Sequence, residues 1–408
     1  MKRPMQLFLG WLLLALPLAR AQNWEAREPM LTPRFAMSVL YWNNQIVVIG
    51  GRDAQDSILA TVESYDLSTG QWQPFAANLN EARYSAAAIV YRGRMFVIGG
   101  CGKDQQVLKS VEFYNETTQR WEREPSLAIA REGAAAAVVN DTLYVMGGFD
   151  GASYLKSIEY FRHEASSWWL SWWSLSAPRA WLSAVTLRDS IFTAGGLLFG
   201  PVGVLERYHI SDGNQRRASM LTPRGRMAAV NFEGKLWTLG GSDQHGASAV
   251  VEIYDYASNS WESGPGLLSA RELNAALAIF DKIFIIGGRT PDGSVLGTLE
   301  TLGLPTSVAE HAAIPRAPEL KSYPNPFVTS ARIVWRSLAS NQTQTVVEVF
   351  DLRGARVLRR FLSSNSADFE FTWHGQDETG AIVRDGIYFI TVRNGDFVLR
   401  RKLLKLKR

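Results

Sequence analysis

Cysteine is nearly absent from this chain of 408 residues: Cys101 stands alone. An intramolecular disulfide is therefore impossible, and stability must come from packing. Histidine is scarce too, with five residues at positions 163, 209, 245, 311 and 374 that form no short ligand spacing, so the sequence offers no metal centre and calls for no cofactor. No G-x-S-x-G elbow is present to carry a nucleophilic serine. The only long apolar run, Leu7 to Leu18, is shorter than the roughly 20 residues a membrane-spanning helix needs. It follows Lys2 and Arg3 and precedes Ala19-Arg20-Ala21. That order reads as a secretory signal peptide over residues 1–21, cleaved after Ala21, with no transmembrane span in the mature protein.

Charge of one sign is also missing where a nucleic-acid binder would need it. The chain carries +4 overall, but the leader accounts for +3 and residues 321–408, with 15 Lys and Arg against 8 Asp and Glu, for +7. Residues 22–320, with 25 against 31, are acidic at −6. The bulk of the protein thus lacks the basic footprint of a DNA- or RNA-binding domain.

What is present is a repeat. A strand-like run rich in β-branched and aromatic residues ends in a glycine pair six times, at Gly50-Gly51, Gly99-Gly100, Gly147-Gly148, Gly195-Gly196, Gly240-Gly241 and Gly287-Gly288, in steps of 49, 48, 48, 45 and 47 residues. Such runs are strand chemistry, and glycine at their ends tolerates positive φ and close backbone approach. A glutamate with an aromatic or apolar residue two positions on follows each pair: Glu63 and Tyr65, Glu112 and Tyr114, Glu159 and Phe161, Glu206 and Tyr208, Glu252 and Tyr254, Glu300 and Leu302. A tryptophan then precedes an arginine by ten or eleven residues: Trp24 and Arg34, Trp72 and Arg83, Trp121 and Arg131, Trp169 and Arg179, Trp261 and Arg271. Before Arg224 the tryptophan register falls on Asn214, which predicts a less well packed unit.

This order of glycine pair, glutamate-aromatic, tryptophan and arginine resembles the kelch repeat. The resemblance implies an all-β fold, a six-bladed kelch-type β-propeller over residues 22–304 with four antiparallel strands per blade. The first repeat has only the tryptophan strand and the last lacks it, so the strand at Trp24 is expected to complete blade six. The alanine-rich runs after the arginines, such as YSAAAIV and EGAAAAVV, suit an innermost strand.

Residues 305–320, broken by Pro305, Pro315 and Pro318, read as a linker. Residues 321–408 carry short alternating strands and turns and are expected to form a small immunoglobulin-like β-sandwich. YPNPF at 323–327, VEVFDLRGARVL, Trp373-His374-Gly375 with Asp377 and Gly380, Gly386-Ile387-Tyr388 and the basic end resemble the sorting domain of type IX secretion cargo. The same tryptophan-glycine and Gly-Ile-Tyr marks occur in the immunoglobulin-like modules of flagellar hook-capping proteins, and both readings stay open.

Antiparallel strand order puts the loop after each glycine pair on the same face as the repeated arginines. The candidate ligand-binding residues are therefore Arg34, Arg83, Arg131, Arg179, Arg224 and Arg271, the neighbouring Arg52 and Arg289, and the variable set Tyr84, Glu132, Trp181, Arg226 and Glu272. Alternatively the arginine ring is scaffold, pairing with glutamates of adjacent blades. Cys101 reaches the same mouth, either as a small apolar residue or as a reactive thiol. Of the cluster Trp168, Trp169, Trp172, Trp173 and Trp181, Trp169 is read as the scaffold tryptophan, and the surplus is open to packing or to stacking on sugar.

The expected function is a secreted or surface-directed propeller of a bacterium that binds a protein or glycan, with the tail engaging type IX machinery. Two other functions remain open: a mutarotase- or epimerase-like enzyme, since six-bladed kelch proteins include a sialic acid mutarotase and Glu132, Glu272 and Arg226 could supply acid-base and carboxylate-binding groups, and a structural surface-layer component.

Overall fold

In a computed structural model the chain falls into two compact units, residues 1–308 and 309–408. The structure describes residues 23–162, 167–209, 211–303, 320–323, 327–336, 345–351, 355–362, 368–394 and 397–406. Residues 1–21, expected to be a signal peptide, nearly all of the expected linker, His163 and His311, most of YPNPF and the turn at Arg353-Gly354 lie outside them. Among the described residues no helix is long and apolar enough to cross a membrane.

The first unit is six four-stranded antiparallel sheets. Blade one runs Ser38–Trp42, Gln45–Ile49, Val62–Asp66, Gln71–Pro74, and blade two Ala87–Tyr91, Arg94–Ile98, Val111–Asn115, Arg120–Glu124. Blade three is Ala135–Val139, Thr142–Met146, Ser157–Phe161, Trp168–Ser174; blade four is Ser183–Leu187, Ser190–Ala194, Leu205–His209, Gly213–Arg217. Blade five has Ala228–Phe232, Lys235–Leu239, Val251–Asp255, Ser260–Ser263, and blade six Ala275–Ile279, Lys282–Ile286, Leu299–Gly303. Its outer strand is Glu25–Arg27, which pairs antiparallel with Leu299–Gly303 so that Glu25 faces Thr301. The two partial repeats thus combine into one complete blade, and no edge is left where the ring closes. The alanine-rich first strands of neighbouring blades pack on one another around the axis.

The repeated marks hold blade to blade. The second glycine of each pair donates its N–H to the carbonyl of the next blade's arginine, as Gly51 does to Arg83 at 2.9 Å. A Cβ on the first glycine would lie 2.5 Å from that carbonyl at Gly50 and 2.4 Å at Gly99, so a side chain there would push the blades apart. The outer-strand tryptophans donate Nε1 to the preceding blade: Trp72 to Glu28, Trp121 to Ala77, Trp168 to Pro125, Trp261 to Ala218 and Trp24 to Pro265, at 2.7 to 3.2 Å.

In blade three the scaffold tryptophan is Trp168, not Trp169. Trp168 faces Phe161 as Trp72 faces Tyr65 and precedes Arg179 by eleven residues as Trp72 precedes Arg83, and a bulge sets Ser157 to Glu159 against Ser174 to Leu170. Trp169 is half exposed and Trp172 is 97% exposed, so the surplus is not simply packing. In blade four Asn214 faces Tyr208 and donates to Glu206 at 2.9 Å and to the Tyr208 hydroxyl at 3.0 Å. A short amide there replaces the apolar contact of the other blades with polar bonds.

The second unit is a three-stranded sheet, Leu320–Tyr323, Ala331–Arg336 and Asp368–Trp373, and a four-stranded sheet in the order Arg356–Leu362, Thr345–Asp351, Gly386–Asn394, Phe397–Lys405. Fully buried Trp373 joins their core, 5.4 Å from Phe327 and 5.1 Å from Tyr388 between ring centroids. The tryptophan-glycine and Gly-Ile-Tyr marks are thus core and turn positions. Asp377 accepts N–H bonds from Thr379 and Ala381 across the turn at Gly380.

Candidate functional site

Each repeated arginine folds inward rather than toward solvent. Arg34, Arg83, Arg131, Arg179, Arg224 and Arg271 are at most 1% exposed and pair with Glu63, Glu112, Glu159, Glu206, Glu252 and Glu300. Each glutamate belongs to the blade that its arginine begins, not to an adjacent one. Five of the guanidiniums also donate to the first glycine of that blade, as Arg83 does to the Gly99 carbonyl at 2.9 Å, while Arg179 donates to the Thr193 hydroxyl at 2.8 Å. Glu63, Glu112, Glu159, Glu206 and Glu252 in turn accept backbone N–H bonds from the incoming connection, as Glu159 does from Ala128 and Ile129 at 2.7 and 3.1 Å. Burial draws the pKa of Arg34, Arg83, Arg131, Arg224 and Arg271 down while the paired glutamates oppose it. These six arginines lie behind the mouth as scaffold, and the expectation that their guanidiniums ring it is corrected. A buried charge keeps its partner because solvation cannot replace it.

The residues two positions after them form the rim. Ala36, Ser85, Gly133, Trp181, Arg226 and Leu273 all have left-handed φ, between 48° and 60°. Each donates its N–H to the carbonyl of the preceding member, Ala36 to Leu273, Ser85 to Ala36 and on through Leu273 to Arg226, at 2.6 to 2.9 Å. The six bonds close a ring around the axis. Every blade contributes one donor and one acceptor, so the rim is saturated and its side chains are held in fixed directions.

Across this ring the six positions differ. Gly133 has no side chain, and a Cβ there would come within 2.9 Å of the Trp181 indole. The indole therefore reaches over Gly133 from blade four toward blade two, where its Nε1 lies 3.3 Å from the Ser85 hydroxyl. It separates a channel cavity of about 130 Å³ from a mouth pocket of about 190 Å³, both of which it lines.

The mouth pocket gathers Arg52, Tyr84, Glu132, Trp181, Arg226 and Arg289, with Phe35 and the rim. Short bridges between the residue after each ring arginine and the residue after each glycine pair bring them together: Phe35 with Arg52, Tyr84 with Cys101, Glu132 with Phe149, Glu272 with Arg289. The guanidiniums sit over aromatic faces, Arg52 over Tyr84 at 4.9 Å, Arg226 over Trp181 at 5.7 Å and Arg289 over Phe35 at 5.0 Å. Glu272 bridges two of them, at 3.0 Å from Arg226 and 2.7 Å from Arg289. Burial alone would raise its carboxyl, but the Arg289 hydrogen bond and the Arg226 charge hold it below the usual range. Arg226 and Arg289 are about a third exposed and each spends one N–H on Glu272. The rest of each guanidinium remains for a ligand.

Glu132 has the opposite environment. Burial pushes its carboxyl up against a hydrogen bond with Cys101 that lowers it. Burial likewise raises the Cys101 thiol, which is 1% exposed and so is a packed side chain rather than a thiolate nucleophile. Among the described residues no group of three or more His, Cys, Asp and Glu could hold a metal ion.

A larger cleft of about 700 Å³ adjoins the mouth above blades three to six; it shares Arg226 and Arg289 with it and adds Glu272. Its other walls come from Tyr154, Phe199, Gln244 and His245, which sequence reasoning missed because they sit in loops that do not repeat. The signal open to reading was an aromatic residue, Phe199, in a glycine-bounded loop.

Comparison with known proteins agrees with this layout. The chain matches the KLHDC2/KLHL20/DRC7 kelch-repeats domain over residues 13–196, the kelch motif over 223–268 and the FlgD Ig-like domain over 325–396. It is 29% identical over 89 residues to beta-scruin of Limulus polyphemus, which is 20% of this chain and 10% of that protein. It is 34% identical over 71 residues to Kelch-like protein 41b of Danio rerio, 17% of this chain and 12% of that one. An F-box/kelch-repeat protein of Arabidopsis thaliana is 33% identical over 73 residues, 18% of each chain. The chain thus spans under a fifth of the length of these curated relatives. The solved structure of YjhT superposes with a TM-score of 0.59 at 16% identity, covering 68% of this chain and 97% of that one, a likeness of fold. The chain is a kelch-repeat protein, its first unit a six-bladed β-propeller and its second an immunoglobulin-like β-sandwich.

Proposed function

We propose that this is a secreted, cell-surface-directed bacterial binding protein whose propeller holds a protein or glycan ligand by an anionic group at the mouth. The observation that carries the reading is the triad Arg226–Glu272–Arg289. Two guanidiniums share one carboxylate, leaving a net positive charge with unspent N–H donors over the Trp181 floor. A ligand carboxylate placed between them would complete an alternating set of four charges and gain charge-assisted hydrogen bonds. Arginine and tryptophan are also the residues most enriched in binding hot spots. In the same reading residues 1–21 direct export and the basic second unit is the type IX sorting tail.

The test removes the site without removing the scaffold. The mature protein with Arg226→Ala and Trp181→Ala is expected to lose binding to arrayed acidic glycans and carboxylate-bearing peptides while keeping its melting temperature. Arg92→Ala, in the turn between the first two strands of blade two and paired with Asp141, is expected to change nothing. Normal binding by the double variant would remove the mouth from the function.

A further inference from the structure

The cleft beside the mouth has features that packing does not explain. Phe199 is 94% exposed, yet its backbone is held at φ 56°, a left-handed conformation that a bulky side chain adopts only at a cost. Its ring meets Tyr154 edge to face at 5.8 Å, and Tyr154 packs on Phe149 at 5.4 Å. Loops of blades three and four thus build a supported aromatic wall whose outermost ring touches nothing beyond it. Across the cleft stands a hairpin of strands Ser242–Asp243 and Gly246–Ala247. Its exposed tip is Gln244 and His245, 3.1 Å apart, and no other blade places a two-stranded hairpin in this loop among the described residues. The cleft has the size of a small-ligand site and opens directly onto Arg226 and Arg289.

An exposed aromatic face on one side and the hydrogen-bonding tips Gln244 and His245 on the other suit a ring with one apolar C–H face and hydroxyls at its edge. We propose that this cleft is a sugar subsite, and that the ligand is an acidic oligosaccharide. Its terminal carboxylate sits between Arg226 and Arg289, and the neutral sugar linked to it stacks on Phe199 with its hydroxyls toward Gln244 and His245. The inference rests on the mouth reading and narrows it from any anionic protein or glycan to an oligosaccharide of at least two units.

The probes are glucuronic acid, an aldotriouronic acid in which glucuronic acid is linked to xylobiose, neutral xylobiose, and a library of peptides with free carboxyl termini, each titrated into the mature full-length protein by calorimetry. The expected result is binding of the aldotriouronic acid at least tenfold tighter than glucuronic acid, with no binding of xylobiose. Phe199→Ala is expected to erase that gain and leave the glucuronic acid affinity unchanged, and because the side chain is solvent-exposed the melting temperature should not move. Equal affinity for the two acids, or a Phe199→Ala protein that keeps the gain, overturns the sugar subsite and leaves the mouth reading standing. Peptide binding in place of sugar binding overturns the oligosaccharide and keeps the mouth. Failure of every probe overturns both.

Discussion

At the scale of single residues, the same side chain does two different jobs according to where its backbone is pinned. Arg131 and Arg289 are both arginines next to a glutamate, but Arg131 is sealed against Glu159 with both side chains fully buried and Arg289 is a third exposed at the mouth. Removing one partner of a buried pair strands the other in low dielectric, which typically costs about 3–5 kcal/mol. Arg131→Met should therefore lower the chemical denaturation midpoint strongly, whereas Arg52→Ala, at an exposed pair with Asp56, should cost about 0–1 kcal/mol. Equal midpoints for the two variants would mean that the buried arginine ring is not what holds the blades. The arginine at each repeat was legible in the sequence, but its direction was not. Pattern alone places a guanidinium at a strand start; the glutamate of its own blade and the glycine carbonyl draw it inward.

At the scale of the strand and blade, closure is the feature on which cooperativity depends. The strand Glu25–Arg27 is three residues long and exposed, so its own contacts are weak. Trp24 does most of the fastening: it is buried, packs into the core shared by blades five and six, and donates to the Pro265 carbonyl at 3.0 Å. Trp24→Ala removes an aromatic from that core, a change worth about 3–5 kcal/mol. Deleting residues 22–29 goes further and bares the edge of Leu299–Gly303. Thermal melting of both proteins should show an earlier transition, with aggregation for the deletion; an unchanged melt would mean that the ring closes without this strand. The complementary partial repeats made closure readable before any coordinates. Which of the adjacent Trp168 and Trp169 is the scaffold residue was not, because spacings of ten and eleven both occur among the repeats and only the pairing of Trp168 with Phe161 decides between them.

At the scale of the whole molecule, two units of opposite charge share one chain. Residues 22–320 carry −6 and residues 321–408 carry +7, and each unit has its own core. The proposed assignment of binding to the first unit and delivery to the second predicts that the second unit works when moved. Residues 318–408 fused to a periplasmic reporter in a type IX-competent host should carry it to the cell surface, and a reporter held in the periplasm would leave the tail as an immunoglobulin-like module of another use.

The sequence by itself determined the repeat number, the strand chemistry, the closing partner of blade six and the identity of the face where loops and arginines meet. These follow from period and strand direction, which are local and recur six times. Only the tertiary structure decided which arginines face solvent, that Trp181 crosses Gly133 to floor the mouth, that six left-handed residues close a hydrogen-bonded ring, and that Phe199 and His245 border one cleft. Each of these depends on contacts between different blades, where one glycine in place of a side chain redirects a neighbour, and such pairings across about 50 residues of chain have no signature in the repeat that precedes or follows.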